Sequence, residues 1–407
     1  MKKAVAFFVY MVPLFVLVIS CNDDPVKSGP DKKDYDPIRL GRIANVQQEL
    51  IKKGQVGSNQ VVIFKDGQII YDSIVNSGLE GDEDITDETL FPIWSMTKPI
   101  TTVAAMILFE EGKFLLDDPI EKYLPEMANL QCLDENGHIY PCNRSVTILD
   151  LLAHQTGWGY YPRNIDGQNI LLSDLWYKDL EDFSKSAAAI PLEFEPGTRY
   201  LYGINTSILG RLIEVVSKKS LYAFMKERIF DPLEMNSTKF YLTDEEREHL
   251  QPLLWTEGET SGFFKHKYDE MTYSKDSGLY FGGAGLVSTT KDYGNFCEML
   301  LNNGAFRGIQ IVSPASIQWM RTPINPELNN GTFIGSSTGF SLFNLTDPIR
   351  DGALSPEGIF GWGGYHATLF WIDPKNNLYG LVMDRSTHSA REMFVRVRIA
   401  TYQALLQ

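Results

Sequence analysis

Ser95 and Lys98 stand three residues apart in Phe91-Pro92-Ile93-Trp94-Ser95-Met96-Thr97-Lys98-Pro99-Ile100, where an apolar run gives way to a helical pattern. A free serine hydroxyl is a poor nucleophile and needs a neighbouring base. A lysine amine takes that part when burial or nearby positive charge lowers its pKa. Positions i and i+3 share a helix face, so the Lys98 amine reaches the Ser95 hydroxyl. The pair falls at a helix N-terminus, where free N–H groups and the dipole favour developing negative charge. The chemistry read from these residues is nucleophilic attack by Ser95 on a carbonyl.

Other reactive-looking groups carry less. Gly335-Ser336-Ser337-Thr338-Gly339 spells G-x-S-x-G, but a nucleophile elbow needs a strand before the serine and a helix after it. Here Phe340 to Phe343 reads as a strand. The six histidines show no spacing suited to a zinc site, so no metal is expected. No phosphate-cradling glycine loop follows a strand, and no cofactor is expected.

The elements that must position Ser95 can be read from the hydrophobic pattern. Apolar residues Ile100, Val103, Ala104, Met106, Ile107 and Leu108 give a helix from Ser95 to about Glu111, with Gly112 as its stop. Upstream, Ile38 to Lys53 has helical spacing. Val61 to Phe64 and Gln68 to Tyr71 flank Asp66-Gly67, a strong hairpin signal. From about Leu116 to Glu270 the pattern is helices and loops, with helices at Thr147 to Ala153, Ser207 to Val216 and Leu221 to Ile229. Strands return at Gly285 to Ser288, Phe340 to Phe343, Thr368 to Ile372 and Tyr379 to Met383. Helices are read from Lys291 to Leu301, from Ser313-Pro314, and from about Ser389 onward. The expected fold is α/β (α+β): a discontinuous lobe of antiparallel sheet flanked by helices, residues 38–115 and 271–407, interrupted by a mostly helical lobe, residues 116–270.

The chain is long enough, at 407 residues, for two lobes with substantial cores. Its formal charge of −15 argues against nucleic acid as a partner. Lys2 and Lys3 precede an apolar run, Ala4 to Ile19, that is shorter than the roughly 20 residues of a spanning helix, so residues 1–20 read as a signal peptide. Val18-Ile19-Ser20-Cys21 resembles a bacterial lipobox. This implies lipidation at Cys21, with residues 21–37 as lipidated cysteine and solvated tether and a membrane as partner through the anchor. Export implies an oxidising compartment, where Cys132 and Cys142, bracketing a polar loop, are expected to pair. Cys297 sits in a helical pattern and reads as a buried small hydrophobe.

Six segments then occur in a telling order: Trp94-Ser95-Met96-Thr97-Lys98, Leu149 to Gly157 (LDLLAHQTG), Leu209 to Glu214 (LGRLIE), Asp231 to Met235 (DPLEM), Gly283 to Tyr293 (GAGLVSTTKDY) and Trp362-Gly363-Gly364. Together they resemble the serine β-lactamase-like superfamily, which includes class C β-lactamases, DD-peptidases and family VIII carboxylesterases, over roughly Ile38 to the end. The resemblance implies an acyl-enzyme on Ser95, with Lys98 and Tyr202 moving the proton. Tyr202-Gly203-Ile204 matches the family's Tyr-x-Asn, but Ile204 lacks the amide. The resemblance also implies that the Ser95 and Tyr365 N–H groups form the oxyanion hole, and that Trp362-Gly363-Gly364 stands where lactamases carry Lys-Thr-Gly. His154 falls in a family motif and reads as structural.

Trp94, Trp158, Tyr160, Tyr161 and Phe360 lie in or beside these motifs. With Ile204, Trp362, Gly363 and Gly364 they suggest an aromatic pocket suited to neutral acyl chains. The expectation is a carboxylesterase of the cell envelope acting on a small-molecule ester or amide. The alternatives are a β-lactamase or DD-peptidase, and a non-catalytic binding protein on the same scaffold.

Overall fold

The computed structural model describes residue 1 and residues 34–161, 177–256, 261–265, 278–325, 331–387 and 390–406. Cys21, the signal-peptide reading and all of the tether before Asp34 lie outside the described residues, as does the lobe boundary at 270/271. Among the described residues no helix is long and apolar enough to cross a membrane.

The strands of the main sheet are β1 (Asn59–Lys65), β2 (Gln68–Val75), β3 (Ser336–Thr338), β4 (Phe343–Leu345), β5 (Phe360–Gly363), β6 (Leu369–Asp373) and β7 (Leu378–Met383). Their order is β3-β4-β5-β6-β7-β1-β2, with every neighbouring pair antiparallel. The N-terminal hairpin therefore enters a sheet made otherwise from the end of the chain, with Gln60 opposite Met383 and Lys65 opposite Leu378. Asp66 and Gly67 both have positive φ, 49° and 84°. Such a turn matches the right-handed twist of the strands it joins.

The helices that matter for the site are α1 (Arg42–Lys52), α2 (Thr97–Glu110), α3 (Ile148–Leu152), α4 (Asn205–Ser217), α5 (Thr290–Leu301) and α6 (Ala390–Tyr402). They cover both faces of the sheet. On β6, Phe370 meets Tyr293 of α5 while its neighbour Trp371 meets Phe394 of α6. Adjacent strand residues point to opposite faces, so β1, β6 and β7 are buried throughout and read as continuous apolar runs. Edge strand β2 is largely exposed or half-buried.

The Ser95 segment stands apart from this sheet. Phe91–Pro92 pairs only with Val287–Ser288, and a 3₁₀ turn, Trp94–Met96, leads into α2. Every residue from Thr97 to Leu108 is buried. A helix buried all round must satisfy its polar side chains internally. Thr101 Oγ1 accordingly donates to the Gly282 carbonyl at 2.6 Å. Helix α3 carries the expected cap, with Thr147 and Asp150 bonding each other's backbone N–H groups.

Of the boundaries that differ from the sequence reading, two show a clear change of backbone. The expected strand at Phe340 to Phe343 lies instead at β4, because Gly339 N–H bonds the Leu342 carbonyl and Ser341 takes a φ of 54°, which turns the chain. The helix expected from Leu221 to Ile229 is α-helical to Met225 and continues as π-helical turns, Lys226–Phe230. Cys132 and Cys142 form a disulfide, with Cα atoms 5.1 Å apart, and Cys297 is free and buried.

Candidate active site

Ser95 is half-buried on the 3₁₀ turn, and Lys98, in the first turn of α2, is fully buried. The Lys98 Nζ donates to Ser95 Oγ at 3.2 Å, to Tyr160 Oη at 2.7 Å and to the Gly283 carbonyl at 2.6 Å. Three acceptors match the three N–H groups of an ammonium. The rings of Tyr160 and Tyr202 also face the charge, with centroids 5.3 and 4.8 Å from Nζ. Burial lowers the amine's pKa, but the neighbouring oxygens of Tyr160 and Tyr202 outweigh it, and the net shift is upward. That direction is opposite to the lowering that a lysine base requires.

Three segments deliver these partners. Gly283 comes close because it lacks a side chain; a Cβ there would lie 2.9 Å from Ser207 Oγ and 3.5 Å from Lys98 Nζ. Tyr160 arrives on the loop after α3, whose Gly157 has a φ of 97° and passes tightly against Leu192 and the Phe194 carbonyl. Tyr202 precedes α4, and Gly203 lets that segment cross Gly159, where a Cβ would lie 2.6 Å from the Gly159 Cα.

Behind Tyr202, His154 is buried with its ring centroid 5.2 Å from that of the tyrosine. Asn205 Nδ2 donates to His154 Nδ1 at 3.1 Å and to the Trp158 carbonyl at 3.3 Å, and Thr156 Oγ1 donates to Asn205 Oδ1. Burial, reinforced by the Lys98 charge, lowers the His154 pKa to about 3. The ring is thus neutral at ordinary pH. Asn205 serves this network and does not take up the place of the missing Tyr-x-Asn amide.

On the opposite wall, a Cβ on Gly364 would lie 2.5 Å from the Ile93 carbonyl, so the end of β5 runs directly beside the serine turn. Tyr365 follows with its side chain exposed, and Trp94 packs edge-on against the rings of Tyr365 and His366 at 5.9 and 5.2 Å. Trp94 has a φ of 45°, a rare conformation for a bulky residue. Trp362 stacks on Phe333 at 5.3 Å and meets Tyr202 at 5.7 Å. Phe333 also reaches Gly363, where a Cβ would lie 3.2 Å from its Cζ.

Two expected pocket residues are not at an open wall. Trp158 is fully buried and Ile204 is 4% exposed, and both belong to the core. Their motifs cross the hinge between the Tyr160 loop and α4, where close packing leaves no room for a substrate. Trp94, Tyr160, Gly363 and Gly364 are partly accessible, while Trp362 is 4% exposed, as buried as Ile204. Phe360 is buried, and Tyr161 is exposed. Sequence reasoning quoted Gly283 in a motif without giving it a role at Lys98, and it missed Phe333. The GAG run around Gly283 was a usable signal for the first; Phe333 had none, since its role depends on the packing of distant segments.

Ser337 lies on β3, in a hairpin with β4 and with no helix following, and it is buried. Among the described residues no cluster of His, Cys, Asp and Glu suited to a metal ion occurs.

The family model described as Beta-lactamase matches residues 43–404. The chain is 31% identical over 316 residues to protein Rv1367c of Mycobacterium tuberculosis, covering 72% of this chain and 76% of that one. It is 28% identical over 323 residues to the lovastatin esterase of Penicillium rubens, covering 72% and 79%. Among solved structures, EstCE1, described as a hydrolase with promiscuous acyltransferase activity, superposes with a TM-score of 0.74 at 23% identity, covering 90% of this chain and 99% of that chain. The matched span takes in the Ser95–Lys98 turn, the main sheet and the helices around both, and the chain belongs to the beta-lactamase family of serine hydrolases.

Proposed function

We propose that this hydrolase is a carboxylesterase acting on small neutral acyl esters through an acyl-enzyme on Ser95. Ser95 attacks the ester carbonyl, Lys98 and Tyr202 move the proton, the Ser95 and Tyr365 N–H groups receive the oxyanion, and water releases the acid. The observation that carries the reading is the wall made by Trp362, Phe333 and Tyr202. Penicillins and peptidoglycan stem peptides present a carboxylate near the scissile bond, and a cation there supplies a charge-assisted partner. Trp362 offers at most a single N–H donor and no cation, so a carboxylate desolvated beside it goes uncompensated at a cost of a few kcal/mol. A relative named as a lovastatin esterase supports ester chemistry.

The test is a comparison of kcat/KM for short-chain p-nitrophenyl esters with that for nitrocefin and penicillin G. The esters are expected to win by at least about 10²-fold, which is about 2.7 kcal/mol of transition-state discrimination. Equal or faster turnover of penicillin G replaces this reading with that of a β-lactamase or DD-peptidase, which the family itself also accommodates.

We further propose that the chain is exported and anchored through a lipidated Cys21, a reading supported by the Cys132–Cys142 pair. Diacylation supplies the two hydrocarbon chains that stable anchoring needs. Cys21→Ala is expected to release the protein from the membrane fraction; unchanged fractionation argues against the anchor.

A further inference from the structure

Phe333 ends a 3₁₀ turn, Gly331–Phe333, and belongs to none of the six motif segments. Its ring is half-buried and stacks on Phe343 at 4.7 Å and on Trp362 at 5.3 Å, with planes inclined by 19° and 26°, and it meets Phe394 edge-on at 6.1 Å. The ring tip reaches Gly363, where a Cβ would lie 3.2 Å from Phe333 Cζ. The next residue, Gly364, is the one that runs beside the Ile93 carbonyl and the serine turn. We propose that Phe333 is a specificity-determining residue whose ring plugs an aromatic slot beside the nucleophile and limits the acyl group to short chains. The inference rests on the esterase reading above and names the length of acyl group that its site takes.

The two ends of an ester make different demands on a site. The acyl group stays on Ser95 through both steps, so its pocket can be closed; the alcohol leaves after the first, so its side must open to water. The wall around Phe333 is closed, since Trp362, Phe343 and Phe394 are all buried. The flank made by Trp94 and Tyr365 is open, with Tyr365 60% exposed. Enclosure therefore assigns the acyl chain to the Trp362–Phe333 wall and the alcohol to the Tyr365 flank. Gly363 is one strand residue, about 3.4 Å, from Gly364. An acyl chain extended along β5 thus passes a residue with no side chain and meets the Phe333 ring within a few carbons of the ester.

The plug is held from behind. Arg391 Nη1, on α6, donates to the Thr332 carbonyl at 3.3 Å. Beyond the ring, Gly335 takes a φ of 79° and passes so close to the segment after β4 that a Cβ would lie 2.5 Å from the Asp347 carbonyl. The N–H groups of Thr346 and Asp347 donate to the Gly335 carbonyl at 3.0 and 2.8 Å. All of these anchors are to backbone atoms on either side of Phe333, and none uses its side chain.

The ring can therefore be cut back while the turn keeps its place. With it gone, Phe343, Phe394 and Trp362 line the space it filled, and that space opens at Gly363 toward the serine turn. A longer acyl chain gains there what the ring gave up, each buried methylene being worth about fourfold in binding.

The experiment measures kcat and KM of the full chain for p-nitrophenyl esters from acetate to dodecanoate and, separately, for butyrate esters of alkyl alcohols from methyl to octyl. The unmodified protein is expected to prefer acyl groups no longer than butyrate. Phe333→Ala is expected to raise the ratio of kcat/KM for octanoate to that for butyrate by at least about tenfold, the factor that burial of two methylenes supplies, and Phe333→Leu by about threefold. The gain is expected mainly in KM, because apolar contacts remote from the carbonyl are made alike in the ground and transition states. The alcohol series is expected to keep its profile in both variants. An unchanged acyl profile in variants that thermal melts show to be folded overturns the proposal. So does a uniform fall in kcat at every length, which marks a purely structural ring, or a shift confined to the alcohol series. If Phe333→Ala does not fold, the same ratio in Phe333→Leu decides. An unmodified protein that turns over no ester of either series while nitrocefin acylates Ser95 removes the esterase reading and this inference with it, a result distinct from an unmoved acyl profile.

Discussion

Lys98 and Arg398 are both fully buried cations, yet they are met by different chemistry. Arg398, on α6, forms a bidentate pair with Asp351 at 2.8 and 2.9 Å, adds Ser355 at 3.1 Å, and stacks over Phe394. A carboxylate opposite an arginine keeps both charges fixed across the whole physiological pH range. Lys98 has two phenols, a serine hydroxyl and a carbonyl around it, and its hydrogen bonds include no carboxylate. Phenols are weak acids that become anionic only at cost, so the Lys98 site holds a proton that can move. The first arrangement ties α6 to the loop after β4; the second is one that a reaction can use.

The comparison can be broken first at its reactive end. Ser95→Ala and Lys98→Ala are each expected to lower kcat/KM for p-nitrophenyl butyrate on the order of 10³-fold or more, because residues acting as a unit fail together. Urea midpoints should show that the Ser95→Ala protein remains folded. A small loss in Lys98→Ala would mean that the buried ammonium is structural, like Arg398.

The structural end answers to a different measurement. Asp351→Ala leaves Arg398 buried and unpaired, a change expected to cost about 3–5 kcal/mol in urea unfolding. Turnover per folded molecule is expected to stay within about threefold, since the transition-state contacts are untouched. A large kcat loss without destabilisation would erase the distinction between the two cations.

The Cys132–Cys142 bridge sharpens the contrast further, because it braces the loop that brings Tyr160 to Lys98. Gln131 and Leu133 bond Leu192 on either side, and Glu193 N–H bonds the Gly157 carbonyl at 3.0 Å. The double replacement Cys132→Ser with Cys142→Ser is expected to cost about 3 kcal/mol by the loop-entropy relation, read from urea unfolding with and without the bridge. Unchanged stability would mean that the hairpin is held by its backbone bonds alone.

The smallest effect is expected at Ser337. Its hydroxyl is buried with no hydrogen-bond partner among the described residues, so Ser337→Ala removes an unsatisfied group. Activity should stay within about twofold. A loss comparable to that of Ser95→Ala would return the G-x-S-x-G segment to consideration as the nucleophile.

The contrast between these serines also shows how far the sequence could be read. Ser95 and Lys98 were legible because helix periodicity is local: three residues along α2 place both groups on one face whatever the rest of the chain does. The Asp66-Gly67 turn, the Thr147–Asp150 cap and the antiparallel strands β1, β2, β6 and β7 were legible for the same reason, since each depends on neighbours within a few positions. Residues near the motifs were harder. Trp158 and Tyr160 differ by two positions in one loop, yet one is core and the other bonds Lys98. Periodicity does not separate them, because the turn at Gly157 and its contacts with Leu192 and Phe194 decide which side chain points inward.

The sequence by itself determined the pairing of Ser95 with Lys98, the hairpin and capping signals, and the order of elements, all fixed by short-range geometry and residue chemistry. The tertiary structure decided which groups surround Lys98, the placements of Tyr160 and Tyr202, and the Phe333–Trp362 wall. Each of these depends on groups far apart in the chain, such as Gly283, 185 residues from Lys98. The physical reason is that a pKa, a hydrogen-bond acceptor and an apolar wall are properties of an enclosed volume, which exists only after the segments have packed.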